Sequence, residues 1–232
     1  MFEVHDYPPA LPDSLVDLMQ QVETATLGHV LHDGFLDRQI RAMLMGKRVV
    51  GCAVTVRIPA MDSVLLHHAV GHARPGDFIV VDRCGDDRHA CWGGMVTHAA
   101  ALARVAGAVI DGPCTDLSEI KACDFPIWSR GLSPITTKQL GLGGALNVPV
   151  VLGGQVVNPG DLVLADDSGV VVLPREKATA MGERAIGMQQ FEIDALAKMR
   201  AGVLLSELSG ATRRVQEALA QQKAQAQGSN HA

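Results

Sequence analysis

Apolar residues along this chain follow two spacings, and their alternation predicts its elements. Residues 46–59 are β-branched and apolar over most of their length, as expected of a strand covered on both faces. A Pro-Gly turn at Pro75 and Gly76 leads into a second such run at 78–82. Between them, residues 65–71 read as a short helix containing His67 and His68. An alanine-rich helix is predicted over 94–105 and a buried strand over 107–111, stopped by Gly112 and Pro113. Residues 117–123 form a further short helix, and residues 125–129 a strand. Residues 132–145, rich in Gly, Ser and Thr, read as a loop. Short strands follow at 148–152, 155–157, 162–165 and 170–173, joined by tight turns, and they suggest a compact β layer.

The ends of the chain read differently. Residues 1–12 are proline-rich and extended. A helix starts at Asp13 or Ser14, with Leu15, Leu18, Met19 and Val22 inward, and a second covers 25–31. Residues 175–200 form one long helix weakened by Gly182 and Gly187 and ended by Gly202. Residues 206–227 are polar and alanine-rich, and residues 227–232 are expected to lack order.

Composition narrows the function classes. Hydrophobic residues make up 47% of the 232, enough for a substantial core, while aromatics are only 3%. That scarcity disfavours nucleic-acid binding through stacked bases. The net charge of −5, without a basic block in the body of the chain, disfavours phosphate-backbone binding. No apolar run reaches the ~18 residues of a membrane span, and the first residues lack the pattern of a secretory signal. Five cysteines without CxxC spacing point to free thiols and a cytoplasmic setting. A zinc set from Cys84, His89 and Cys91 is conceivable but matches no usual ligand spacing. His67, His68 and His72 are spaced i, i+1 and i+5, so one helix face does not hold all three.

The densest chemistry lies between Cys91 and Asp116. A Gly93-Gly94 turn opening a helix offers backbone N–H groups from Gly93, Gly94, Met95 and Val96 to a carboxylate. Asp111 and Asp116 follow a strand, where open α/β sheets hold ligands. Asp116 can serve a hard divalent ion such as Mg²⁺. It can equally be an N-cap, because Glu119 three residues later completes a capping-box pattern. Taken together, these residues describe a site that chelates a 2-oxo acid and stabilises its enolate.

Trp92-Gly93-Gly94 with its helix, the run 106–112, Asp116 and the block 147–174 together resemble the RraA-like superfamily. That superfamily holds class II pyruvate aldolases acting on 4-hydroxy-4-methyl-2-oxoglutarate and 4-carboxy-4-hydroxy-2-oxoadipate, and the regulators of ribonuclease E activity. The resemblance implies an α/β protein with the RraA-like β/β/α swivelling-domain fold. Residues 25–210 form its domain, residues 1–24 an N-terminal arm and helix, and residues 211–232 a polar tail. It implies a homotrimer or homohexamer with the site between subunits, and a Mg²⁺ cofactor, or Mn²⁺ or another divalent metal. By position, Asp116 matches the metal-binding aspartate, and Gly93, Gly94, Met95 and Val96 match the carboxylate-binding segment. Glu192 stands near an acidic residue that a neighbouring subunit lends.

One departure bears on the chemistry. Asp111-Gly-Pro-Cys-Thr-Asp116 places Thr115 where the aldolases carry an arginine that contacts the substrate carbonyl. A threonine hydroxyl is a neutral donor on a short stem. Arg83, Arg88 or Arg130 are candidates to supply the charge or recognise substrate, and His89 is a candidate acid–base group. The reading is a metal-dependent lyase for a short 2-oxo or hydroxy polycarboxylic acid. The alternatives are a non-catalytic ribonuclease regulator acting by protein contact, and an enzyme of other chemistry on the same scaffold.

Overall fold

A computed structural model describes residues 1–229. Its elements run β1 (Phe2–Val4), α1 (Asp13–Met19), α2 (Thr24–Leu27), β2 (Arg41–Ala42), β3 (Val49–Arg57), α3 (Val64–Gly71), β4 (Asp77–Asp82), α4 (Gly94–Leu102), β5 (Gly107–Cys114), α5 (Leu117–Ala122) and β6 (Ile127–Leu132). Then come β7 (Gly144–Leu146), β8 (Val150–Leu152), β9 (Gln155–Val157), β10 (Leu162–Asp166), β11 (Gly169–Leu173), α6 (Arg175–Arg200), α7 (Leu205–Leu208) and α8 (Ala211–Ser229). Two compact units are present, Met1–Ala185 and Ile186–Ala232, dividing inside α6. The tail expectation fails for 227–229, which belong to α8, and residues 230–232 lie outside the described residues. No helix among the described residues is long and apolar enough to cross a membrane.

The first unit is built on a parallel core of β3, β4, β5 and β6. β3 also pairs antiparallel with β7 and with β10, and β10 with β11, so the sheet branches at β3. Period-two alternation sorts the core strands onto two faces. Val54, Val56, Ile79, Val81, Ala108 and Ile110 belong to one buried cluster with residues of α3, α4 and α5. Ala53, Phe78, Val80, Val109 and Trp128 belong to the other, with Val150, Leu152, Val157, Val163 and Val172 of the later strands. Both faces are therefore apolar, which is why the strands read as continuous hydrophobic runs. The layers are β, β and α, the α/β architecture the resemblance implied.

Three elements depart from the sequence reading. β5 continues through Gly112 and Pro113 to Cys114, because a bulge between Ile110 and Pro113 absorbs the proline without a ladder N–H. The second N-terminal helix is a single turn, Thr24–Leu27. The arm at residues 1–12 begins with a strand, β1, pairing in parallel with β7 inside the loop expected at 132–145.

Candidate active site

β5 and α5 meet at Thr115 and Asp116, and α4 begins opposite them. Trp92 and Cys114 form a parallel bridge, and the Thr115 N–H donates to the Trp92 carbonyl at 2.9 Å. This brings the end of β5 against the Gly93-Gly94 turn. Trp92 anchors the turn from below: its side chain is fully buried, stacks on Phe125 at 5.6 Å, and its indole N–H donates to Thr97 Oγ1 at 3.0 Å.

Asp116 occupies the N-cap position of α5 but makes no side-chain cap. Its backbone is left-handed, φ 53° and ψ 46°, a conformation that costs a non-glycine residue energy and that Asp tolerates better than most. That backbone turns the carboxylate away from its own helix, and Oδ2 accepts the Gly94 N–H at 2.8 Å. The expected capping box does not form, and Glu119 pairs instead with His98 at 3.0 Å. Proximity leaves little room for a side chain at either glycine. A Cβ on Gly93 would stand 2.6 Å from Asp116 Oδ2, and one on Gly94 would stand 3.0 Å from Glu119 Cγ. Of the turn's amides, that of Gly94 is already spent on Asp116, while those of Met95 and Val96 lie in the first turn of α4, where no intrahelical acceptor exists.

A cleft of about 210 Å³ lies over this junction. Gly93, Gly94, Met95, Val96, Thr115 and Asp116 line it on one side. The opposite wall is Ser63, His67, Thr136, Thr137, Lys138 and Gln139. Ser63 and His67 belong to the start of α3, and residues 136–139 to the segment read as a loop, which is held like a strand. Ala90 N–H donates to the Ile135 carbonyl at 2.8 Å, Thr137 N–H to Ala90 at 3.0 Å, Lys138 N–H to Met61 at 2.7 Å, and Ser63 N–H to Lys138 at 3.0 Å. Asp62, buried, accepts the N–H groups of Val64, Leu140 and Leu142 and so clamps the segment to the start of α3. Burial alone would raise the Asp62 carboxyl, but these N–H groups, with that of Gly141, hold it below its ordinary value of 3.8.

Lys138 and His67 are the groups the sequence reading missed. Lys138 was one lysine in a polar loop, with no periodicity to mark it. His67 belongs to a trio whose i, i+1, i+5 spacing does not converge on one helix face. The structure separates that cluster: His68 and His72 lie ring to ring at 4.3 Å, while His67 points to Gln139 and the cleft.

Other candidates lie elsewhere. Arg130 is bound to Asp111, to Asp37 at 3.0 Å and to Gln39 at 3.1 Å, and it does not line the cleft. Asp111 is committed to Arg130 and to the Gly153 N–H at 2.8 Å, so it tethers the β8–β9 turn and not a metal beside Asp116. Arg88 is exposed and His89 is paired through Nδ1 with Asp86 at 2.8 Å, and neither lines the cleft. Arg83 is wholly buried beneath this loop and bonds the carbonyls of Ala60 and His89. Cys91 is buried and its thiol is pushed up to about 12 by desolvation, which makes it a poor zinc ligand. Among the described residues no three His, Cys, Asp or Glu side chains converge as a metal site. Glu192 is an exposed residue of the second unit, on the later part of α6.

Residues 15–172 match the family model described as RraA-like, Aldolase/RraA. A protein of Halalkalibacterium halodurans named "Putative 4-hydroxy-4-methyl-2-oxoglutarate aldolase" is 38% identical over 140 residues, 60% of this chain and 66% of its own length. The crystal structure of an uncharacterized protein from Pseudomonas syringae pv. tomato superposes with a TM-score of 0.74 at 30% identity, covering 87% of this chain and 98% of that one. Streptomyces coelicolor RraAS2, titled an unusual member of the RNase ES inhibitor RraA protein family, gives 0.73 at 32% identity, covering 81% and 98%.

Proposed function

Because the chain belongs to the RraA-like, Aldolase/RraA family, we propose that it is a metal-dependent lyase of the pyruvate-aldolase type. Its substrates are short 2-oxo or hydroxy polycarboxylic acids, cleaved by retro-aldol fission or β-decarboxylation. The observation that carries this reading is the Asp116 carboxylate, turned out of its capping position and held against the first turn of α4.

A divalent ion, Mg²⁺ or Mn²⁺, fits this donor set. Asp116 is the one carboxylate lining the cleft among the described residues. Magnesium is commonly held by one or two carboxylates, with water and substrate oxygens completing its shell. When bound, such an ion supplies Lewis-acid polarisation of the 2-oxo group. The chain's own groups do the rest. The Met95 and Val96 N–H groups, at the positive end of α4, take the substrate carboxylate. Lys138 brings to the cleft a cation that Thr115 cannot. Residues 136–139 wall the bound acid on the far side.

The family's assembly as a trimer or hexamer fits the exposed apolar side chains of Met95, Ile135 and Leu140, which border the cleft in sequence and offer surface for a second copy. The reading is tested by following pyruvate release from oxaloacetate and from 4-hydroxy-2-oxo acids, with Mg²⁺ and with EDTA. Metal-dependent release supports it, and none from a folded protein overturns it. The likeness to RraAS2 favours one rival, a regulator that acts by protein contact. Capture of a ribonuclease E-type enzyme by a protein without lyase turnover would establish that rival.

A further inference from the structure

We propose that two copies of this chain pair antiparallel through the second half of α6, about a two-fold axis at Leu196. The pairing stands independently of the lyase reading. The buried residues of α6 are Ala178, Gly182 and Ala185, and none after Ala185 is buried. Apolar side chains continue beyond that point. Ile193, Leu196 and Met199 are 60%, 45% and 38% exposed. Their i, i+3, i+6 spacing holds all three within about 60° of Leu196, at roughly 100° per residue. Phe191, also exposed, falls on the far side of the helix and takes no part. A contiguous apolar stripe rimmed by charges marks an interaction surface.

The charges on this stretch say what covers it. Glu192 stands four residues before Leu196 and Arg200 four residues after it, and both lie on the Leu196 face. They are roughly 12 Å apart along one helix, too far to pair with each other. A second α6 running the opposite way through Leu196 brings Glu192 of each copy level with Arg200 of the other. Ile193 comes level with Met199, and Leu196 meets its own counterpart. Two Glu–Arg pairs then flank an apolar centre, so that one patch recognises itself. A carboxylate accepts from several donors, so the pairing leaves room for other bonds to Glu192.

Orientation follows from the same charges. A parallel pair would set Glu192 against Glu192 and Arg200 against Arg200, and flanking charges commonly decide the direction of paired helices. Lys198 and Arg200 in the last turn also suit the carbonyl end of α6. That requirement is indifferent to the face a base occupies, and Lys198 meets it from the far side. The position of Arg200 beside Leu196 is what the second copy explains.

Sedimentation equilibrium of the full chain should give an even number of chains, and an odd number overturns the proposal. Leu196→Glu should halve that mass with helix content unchanged by circular dichroism. An undiminished mass overturns it. A second set of variants leaves the apolar centre intact. Glu192→Arg and Arg200→Glu each turn both pairs from attraction into repulsion, so each should weaken association on the order of 10-fold. The double exchange should restore it, and failure to restore overturns the pairing of these residues. The axis itself is tested by oxidation with diamide. Leu196→Cys should give a dimer joined at residue 196, above the background of wild type, because that position alone meets its own copy. Ala197→Cys, about 100° around the helix, should not. Equal cross-linking of the two variants overturns the placement of the axis at Leu196.

Discussion

Asp116 Oδ2 accepts the amide hydrogen of Gly94 at 2.8 Å, joining the end of β5 to the first turn of α4. This bond holds a carboxylate at the mouth of the cleft, one atom from where a side chain on Gly93 would have to go.

Replacing Gly93 by Ala should therefore displace function more than stability. The new Cβ would stand 2.6 Å from Asp116 Oδ2, the movable end of a side chain. Gly93 itself has an extended backbone, φ −137°, which alanine adopts freely. The expected result is a Tm within a few degrees of wild type and Mg²⁺ affinity reduced by about tenfold or more, read by calorimetry with a bound 2-oxo acid. Undiminished metal affinity would show that Asp116 is not the ligand.

Asp116→Asn should keep the fold, since asparagine also tolerates the left-handed backbone and its side-chain oxygen can still accept from Gly94. Removing the anionic ligand should lower kcat/KM by about 10²-fold or more. Steady-state kinetics beside a thermal melt decide this, and wild-type turnover in the variant would count against the site.

Lys138→Met keeps most of the side-chain bulk and removes the charge. A charge-assisted hydrogen bond contributes roughly 1.5–3 kcal/mol, so KM for a dicarboxylic substrate should rise on the order of 10- to 100-fold. The effect should weaken for pyruvate itself, which has fewer carboxylates to recognise. Equal KM values for variant and wild type would remove Lys138 from substrate binding.

Asp62 predicts an acid limit to the cleft wall. Its folded value lies below the ordinary 3.8, through N–H groups that overcome the effect of burial. A depressed carboxyl stabilises the fold above its unfolded value, and that contribution is lost as pH falls through the folded value. Hydrogen exchange at Leu140 and Leu142 should thus accelerate below about pH 3.8 and stay slow at neutral pH. Asp62→Asn, which sets an amide hydrogen against one of these donors, should cost about 1–3 kcal/mol at pH 7 and loosen the same amides. Exchange that is unaltered in the variant would show that the clamp does not hold the wall.

Asp111→Ala separates the two aspartates of the loop. It frees Arg130 and the Gly153 amide, so the expected cost is stability, about 1–3 kcal/mol, with metal affinity unchanged. A selective loss of metal binding would instead restore Asp111 to the site.

Most of the fold is legible along the chain because each core strand is covered on both faces and most turns carry a Gly or Pro. The runs at β3, β4, β10 and β11 announce themselves in that way. Half of the candidate site is equally legible: Gly93, Gly94 and Asp116 stand at an element junction whose local chemistry points to an anion and a cation. The other half could not be found by periodicity. Lys138 and Gln139 enter the cleft only because Asp62, Ala90 and Met61, distant in sequence, bind the backbone of their segment. Arg130 and His89 looked equally suited to the site, yet Asp111 and Asp86 claim them first. The amino-acid sequence determined the layers, the turn and the aspartate through local propensity and burial. Which polar side chains face one another across the cleft was decided by tertiary structure, because that choice depends on long-range backbone hydrogen bonds and on competing partners for each charge.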